Sequence, residues 1–262
     1  SDGLTRKFIP ARLIDNPYLA EDGEYEKMLL SLPPVQRRQL LEGNWDIAEG
    51  AAFAEFDPNI HVIVPFGLPV WWERFKGIDY GYASESCCLW GVVDPEDKTI
   101  IIYRELYRKG LTGEALAEMI VNFEEEEGRS IQGVLDTSAW AKTGYTGPTI
   151  GEILQQRGHK LRRADKNRLA GKIQIHEHLK QNNTTGRPRL QIFNTCVNLI
   201  KELQSIPLSK TKPEDVDTNA LDHAYDALRY MLMSRPRMDN PYAQMLEIKR
   251  KPYEPSDPDF GY

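Results

Sequence analysis

The order of its apolar segments constrains the fold of this sequence more than any other feature. Three apolar runs follow one another at 75–80, 86–93 and 99–106, and each has the length and composition of a β-strand. The turn residues at 94–97 predict that the last two runs form a hairpin. Helical periodicity first becomes clear at 113–127. Beyond that point short strands are predicted at 131–135, 159–162 and 190–193, and helices at 148–157, 166–180, 194–204 and 219–234.

A meander of strands followed by alternating helices and strands predicts an α/β fold with a mixed central sheet flanked by helices. The 262 residues are enough for one large domain with appendages. We place the core at 71–236, after an N-terminal linker segment at 1–70 with predicted short helices at 24–32 and 35–41. The proline-rich segment 237–262 is typical of a flexible, extended C-terminal tail.

Composition narrows the classes of function. The longest purely apolar stretches are only a few residues, too short to span a bilayer, so no membrane partner is expected. The first ten residues lack the apolar core of a signal peptide, and the three cysteines form no paired Cys-x-x-Cys motif. The sequence therefore predicts a protein of a reducing, intracellular compartment.

The charge distribution is more informative than its sum. A net charge of −6 argues weakly against a nucleic-acid partner. Residues 157–172, however, carry seven lysines and arginines against one acid, Asp165. This segment predicts a basic face, although an ordinary solvated helix face would have the same composition.

Two aspartates each close an apolar strand. Asp79 ends the strand at 75–80, in Gly77-Ile78-Asp79-Tyr80-Gly81, and Asp136 follows the strand at 131–135. If these strands are neighbours, the two carboxylates lie side by side and repel, unless a divalent cation neutralises them. For either residue taken alone, a turn-forming acid is the alternative.

The helix at 219–234 offers a third acidic group. Ala220, Leu221, Ala224, Ala227, Leu228 and Met231 are predicted to face the core, whereas Asp222, His223, Asp226 and Arg229 fall on the opposite side. If Asn219 is the N-cap, Asp222 stands in the first turn of the helix. An acid at this position stabilises the exposed N–H groups of the helix without any role in metal binding. Asp226 has no such role, although a surface pair with Arg229 remains an alternative, and we rank it above Asp222 as a ligand. His176 and His178, two apart on their helix, are predicted to be surface residues.

These segments together resemble the nuclease domain of phage large terminase subunits, over nearly the whole chain. The similarity lies in 38–45, in Ile78-Asp79-Tyr80-Gly81, in Leu135-Asp136 and, most specifically, in the segment 222–230. The order of elements is also that of a ribonuclease H-like core. The resemblance implies that Asp79, Asp136 and Asp226 are catalytic metal ligands and that His223 lies beside them. Asp222 is left open between metal ligand and capping residue.

The resemblance implies a metal-dependent endonuclease that cleaves concatemeric double-stranded viral DNA during genome packaging. Two Mg²⁺ or Mn²⁺ ions about 3.5–4 Å apart would activate a water and stabilise the leaving oxygen. His223 would assist proton transfer, because its pKa lies near neutrality. The residues expected to contact DNA phosphates are Lys142, Arg162, Arg163, Lys166, Arg168 and Lys172.

Large terminase subunits also carry an ATPase motor, and this sequence has no phosphate-binding loop of the Gly-x-x-x-x-Gly-Lys-Ser/Thr type. We therefore expect an excised nuclease half that works with the motor, a small terminase subunit and the portal in the host cell cytoplasm. The alternatives are a junction resolvase-like or transposase-like nuclease of the same fold, or a catalytically silent DNA-binding or docking module.

Overall fold

The computed structural model describes residues 50–142, 147–182, 184–212 and 214–235. The predicted helices at 24–32 and 35–41 and the predicted tail at 237–262 lie outside these residues. The described strands are β1 (Val62–Ile63), β2 (Glu73–Asp79), β3 (Glu85–Val93), β4 (Ile100–Lys109), β5 (Gly133–Leu135), β6 (Leu161–Arg163) and β7 (Leu190–Phe193). The described helices are α1 (Pro58–His61), α2 (Gly113–Glu126), α3 (Ile150–Gln156), α4 (Arg168–Leu179), α5 (Val197–Ser205) and α6 (His223–Met233), with a 3₁₀ turn at Ser138–Trp140.

The seven strands form one mixed sheet in the order β1-β7-β4-β3-β2-β5-β6. Strands β2, β3 and β4 are antiparallel, as the predicted hairpin requires. Strand β5 adds to β2 in parallel and β6 adds to β5 in parallel. Strand β7 adds to β4 in parallel at the other side. The predicted α/β class with a mixed central sheet is confirmed.

Helices cover both faces of the sheet. On one face Phe75 and Leu89 belong to a core that includes Ile175, Leu199 and Leu228 from α4, α5 and α6. On the other face Ile78 and Trp90 pack with residues of α2 and α3. The alternation along β2 follows from the pleat, which sends successive side chains to opposite faces. Within the described ranges, no helix has the length and apolar character needed to cross a lipid bilayer.

Residues 50–63 pack on this core. Phe53 and Phe56 are each 1% exposed and belong to the same cluster as the α6 residues. Strand β1 pairs in parallel with β7, with Val62 opposite Ile192. The division of the chain at residues 70 and 236 stays a prediction, but the described part of the predicted linker segment contributes to the domain's core.

The last helix begins four residues later than predicted. The Asp217 carboxylate accepts the Asn219 N–H at 3.0 Å, and the Ala220 N–H donates to the Asp217 carbonyl at 3.2 Å, so these residues form a turn. Leu221 consequently lies before the helix and is exposed, whereas we predicted it on the core face. The N-cap of α6 is Asp222, not Asn219.

Two further placements differ from prediction. Arg229 was assigned to the polar side of the last helix, yet it is buried between α6 and α4, where Gly171 leaves room for its stem. A Cβ at Gly171 would stand 2.2 Å from the Arg229 Cγ. His178 was assigned to the surface but is also buried, with its Nδ1 2.7 Å from the Gln174 carbonyl oxygen.

Gly77 allows α6 to lie directly on β2. A Cβ at this position would meet the Met231 Cγ at 2.2 Å and the Ala227 carbonyl oxygen at 2.4 Å. Real Cβ atoms do not approach other atoms this closely, and a backbone oxygen cannot move aside as a side-chain end can. The distance between α6 and the sheet is therefore set by the absence of a side chain at Gly77.

We expect Gly77→Ala to lower the free energy of unfolding by roughly 1–3 kcal/mol or more, because the added methyl group overpacks the interface between α6 and β2. Urea unfolding followed by circular dichroism measures the change. Gly67→Ala is the matched control, since a Cβ at Gly67 meets nothing within 4 Å. Equal stability of the two variants would contradict the close approach.

Candidate metal centre

Asp79 and Asp136 stand at the ends of neighbouring parallel strands. Ile78 of β2 is paired with Leu135 of β5, so the next residue of each strand is an aspartate. The Asp136 N–H donates to the Ile78 carbonyl at 3.0 Å, which continues the ladder by one residue. The predicted adjacency of these two strands is present, and it brings both carboxylates to the same edge of the sheet.

Helix α6 begins at the same place. The Nδ1 atom of His223, its first residue, lies 3.0 Å from the Asp79 Oδ2. The helix packs on β2, β3 and β5. Its N-terminal turn carries Asp226, and the N-cap Asp222 immediately precedes it. Four aspartates from three separate elements thus meet at one end of the domain.

Burial and mutual repulsion act on these carboxylates together. Removal from water raises the pKa of Asp79, and the charges of Asp226 and Asp136 raise it further, while the hydrogen bond from His223 opposes this. Burial, followed by the charge of Asp226, raises the pKa of Asp222 to about 6. A site that disfavours several negative charges at once favours a bound cation.

Protein donors orient two of these carboxylates. The Tyr230 hydroxyl donates to the Asp136 Oδ1 at 3.1 Å, and the Ser138 hydroxyl donates to its Oδ2. The Arg229 Nε donates to the Asp226 Oδ1 at 2.9 Å. These contacts fix the rotation of both side chains, since each hydrogen bond prefers a narrow range of angles.

Arg168, at the start of α4, lies among the acids. Its guanidinium is 3.0 Å from Asp215, 3.5 Å from Asp226 and 3.7 Å from Asp222. We predicted that Arg168 contacts DNA phosphates, whereas the structure shows it as a counter-charge shared by three aspartates. One cation among these carboxylates lowers their repulsion without removing it.

His223 is held between two acids. Its Nδ1 faces Asp79, and its Nε2 lies 3.6 Å from the Glu85 carboxylate. The hydrogen bond to Asp79 is the main reason that the pKa of His223 is raised. The imidazole beside the strand-end carboxylate therefore binds a proton more tightly than a free histidine does.

The donor set fits a divalent cation in its chemistry. Carboxylate oxygens are the ligands that Mg²⁺ and Mn²⁺ prefer. Across residues 50–142, 147–182, 184–212 and 214–235, however, no group of three or more His, Cys, Asp or Glu side chains already has the spacing of a metal site. The carboxylates contact neighbouring protein donors instead.

The predicted DNA-contacting residues fall into two groups. Lys142, Arg162, Arg163 and Lys166 are exposed. Arg163 is paired with Leu135 in the sheet, one residue from Asp136, and its guanidinium lies over the Trp140 ring at 5.4 Å. Lys172 differs from prediction: it is buried, and its Nζ donates to the Glu214 carbonyl at 3.0 Å.

Several residues at the site were not anticipated from the sequence. Tyr230 stands four residues after Asp226, so the helical period places both on one face of α6. This spacing could have predicted that Tyr230 lies near the acidic residues. No local sequence pattern predicts the positions of Glu85, Glu202 and Asp215. They reach the site from the start of a strand, a neighbouring helix and a loop.

Comparison with known proteins identifies the fold. No family model and no curated protein matches this chain. The nuclease domain of the phage P22 large terminase superposes with a TM-score of 0.58 and 15% identity, over 72% of this chain and 93% of that domain. The large terminase of a thermophilic bacteriophage, in complex with ADP, superposes with a TM-score of 0.58 and 18% identity, over 86% of this chain and 54% of that protein. The chain has the ribonuclease H-like fold of these nuclease domains, as predicted, and spans about half the length of the thermophilic phage protein.

The raised pKa of Asp222 predicts a pH-dependent stability of the metal-free protein. The carboxyl group ionises at about 6 in the folded chain, against 3.8 for an unperturbed aspartate. Between these values the folded state holds a proton that the unfolded state has released, so this group's contribution to stability falls as the pH rises. Asp222→Asn should therefore gain stability relative to the unmodified chain between about pH 4 and about pH 6.5, and the difference should level off above.

Urea unfolding in the presence of a chelator, at several pH values, checks this. Asp217→Asn is the control of opposite sign: the Asn219 N–H lowers the pKa of Asp217, so the unmodified chain is favoured over this variant as the pH rises. Parallel pH profiles of the unmodified chain and Asp222→Asn would show that Asp222 titrates normally.

Proposed function

We propose that this chain is a divalent-metal-dependent endonuclease domain that cuts double-stranded DNA, and that it serves the packaging of a phage genome. The observation that carries the proposal is the convergence of Asp79, Asp136 and Asp226 at one end of the sheet. This convergence occurs on the fold of phage large-terminase nuclease domains, which supports the same class of chemistry here.

Asp79, Asp136 and Asp226 would hold the ions, with Asp222 as a further ligand. Two Mg²⁺ or Mn²⁺ ions held there would supply an activated water and offset the charge that develops on the phosphate. The group of four carboxylates has enough oxygen donors for two such ions, since each ion also retains several waters.

The chain's own side chains then orient and exchange protons. Tyr230 and Ser138 fix the rotation of Asp136, and Arg229 fixes that of Asp226. The Nδ1 atom of His223 faces Asp79 and would carry a proton shared with that carboxylate. Its Nε2 lies 3.6 Å from Glu85, and a proton on Nε2 would pass to the leaving oxygen of a bound strand, which leaves the imidazole neutral.

The DNA backbone would approach along β6. Arg162 and Arg163 are exposed on this strand next to the Asp136 end of β5. Lys166 follows on the approach to α4, and Lys142 follows the 3₁₀ turn behind Asp136. Phosphate contacts of this kind position a duplex without reading its sequence.

The partners follow from the same proposal. A nuclease with backbone contacts alone needs other components to decide when and where to cut. We propose the terminase ATPase motor, the small terminase subunit and the portal for this role, in the cytoplasm of the host cell. The large terminase of the thermophilic phage has about twice the length that this chain matches, which is consistent with a motor domain elsewhere in the full protein.

Asp79→Asn, Asp136→Asn and Asp226→Asn should each lower the rate of plasmid cleavage in Mn²⁺ by roughly two orders of magnitude or more, because each removes a charged ligand from the group proposed to hold the ions. The losses should not add in double variants, since the acids act as one unit. Supercoiled-plasmid nicking and linearisation, with and without a chelator, measures them. Calcium should not replace manganese, because its looser coordination positions water poorly.

Asp97→Asn is the matched control for these variants. Asp97 lies in the β3–β4 hairpin, paired with Arg187, at the opposite end of β3 from the Asp79 partner Cys87. It should cut at the normal rate. Chelator-resistant cleavage, or full activity of Asp79→Asn, would contradict the proposal. Cutting confined to four-way junctions would instead favour a resolvase-like enzyme, and no cutting at all would favour a silent DNA-binding module.

Replacing Lys142, Arg162, Arg163 and Lys166 by alanine should weaken DNA binding about equally across unrelated sequences. The slope of log affinity against log salt should fall by up to about 0.9 for each phosphate that the variant no longer neutralises. Fluorescence anisotropy with several labelled duplexes at a series of salt concentrations measures both effects.

Lys201→Ala is the control, since this lysine is exposed on α5, which packs on β4 and α6. It should leave the slope unchanged. An unchanged slope in the quadruple variant would show that these four residues form an ordinary solvated surface and do not contact DNA phosphates.

A further inference from the structure

The first turn of α6 is capped from outside the helix. An aspartate at the N-cap normally accepts a hydrogen bond from the second or third backbone N–H of its helix. Asp222 occupies the N-cap, and its carbonyl accepts the Asp226 N–H at 2.7 Å, but its side chain makes no cap hydrogen bond. A capping side chain is present and is not used for capping.

Glu202 of α5 takes that place. Its Oε2 accepts the Tyr225 N–H, the third of the helix, at 2.8 Å. Its Oε1 accepts the Tyr107 hydroxyl at 3.0 Å, and the residue is 4% exposed. Both oxygens are thus engaged, and Tyr107 fixes the carboxylate that reaches the start of α6.

Helix α5, which carries Glu202, is also capped by a side chain from outside the helix. Its N-cap, Cys196, makes no side-chain cap bond. Glu105 of β4 instead accepts the N–H groups of Asn198 at 3.1 Å and Leu199 at 2.7 Å. Glu105 therefore caps α5 from the sheet as Glu202 caps α6 from α5.

The freed Asp222 carboxylate lies with the other acids. It interacts with the charges of Asp226 and Asp79, and it is 3.7 Å from the Arg168 guanidinium. We infer that Glu202 is a positioning residue: by capping α6 in place of Asp222, it directs the Asp222 carboxylate to the metal centre. This inference rests on the proposed function for the metal, but the exchange of caps stands on the geometry alone.

The cap exchange can be tested without metal. In the unmodified chain Asp222→Ala should cost little stability, because Asp222 does not cap. In Glu202→Ala the Asp222 side chain is free to turn to the Tyr225 N–H, so Asp222→Ala should then lower the urea midpoint clearly. A double-mutant cycle of the two substitutions measures this coupling. An additive cycle would overturn the inference.

The metal arm uses calorimetric titration with Mn²⁺. Glu202→Ala should weaken binding by about 10–100-fold, the usual loss when the support of a ligand is removed. In an Asp222→Asn background the same substitution should cause no further loss. Glu202→Gln keeps an acceptor for the Tyr225 N–H and should retain most of the affinity, which a purely electrostatic role of Glu202 would not allow.

Glu105→Ala is the matched control. It removes a cap of the same chemistry from α5, so it should lower stability without the coupling to Asp222. If Glu202→Ala does not fold, Glu202→Asp replaces it, because the shorter side chain cannot reach the Tyr225 N–H.

The outcomes separate the two proposals. Absence of Mn²⁺ binding by the unmodified chain would overturn the proposed function, while the metal-free cycle would still decide the cap exchange. Normal Mn²⁺ binding by Glu202→Ala, or a loss that persists in Asp222→Asn, would overturn the role of Glu202 and leave the proposed function standing.

Discussion

Helix α6 lies directly on β2 at a position where the strand has no side chain, and this close contact brings the first turn of the helix to the candidate site. With Gly77 beneath Ala227 and Met231, the helix axis is close enough for its first turn to reach the end of the same strand. Asp79 follows Gly77 by two residues and so points to the same face of the sheet. The distance between the strand-end aspartates and the aspartates of α6 thus depends on the packing at Gly77.

Packing of this kind has to overcome electrostatic repulsion. The charges of Asp226 and Asp136 raise the pKa of Asp79, and the charge of Asp226 raises that of Asp222, while neighbouring side chains offset the repulsion. Arg168 and Arg229 supply cations, Tyr230 and Ser138 supply hydroxyls, and His223 supplies an exchangeable proton. The domain core can therefore fold with the acids assembled, because each carboxylate has a partner from the chain itself.

Much of this arrangement could be predicted from the sequence, and the part that could not be predicted has an identifiable physical cause. Strand ends and helical periods are local properties, so Asp79, Asp136 and Asp226 could be placed from apolar patterns alone, and the two strands and the helix that carry them are present. Their role as ligands stays a prediction. The predicted start of α6 was wrong, because residues that were assigned to the helix form a turn at Asp217 instead. The positions of Glu202, Arg168 and Lys172 depend on which helices become neighbours, and no local pattern in the chain encodes that.

The exposed arginines of strand β6 also affect whether the sheet can pair with another chain. It is the outermost strand on its side of the sheet among the described residues, and an uncovered strand edge invites pairing with another chain. Two successive residues of this short strand, Arg162 and Arg163, are exposed arginines. Like charges on two such edges repel, so a second copy of the domain is discouraged from extending the sheet. The proposed DNA ligand has no strand to add to the sheet, so the same two arginines would serve the proposed phosphate contacts and discourage pairing with a second copy.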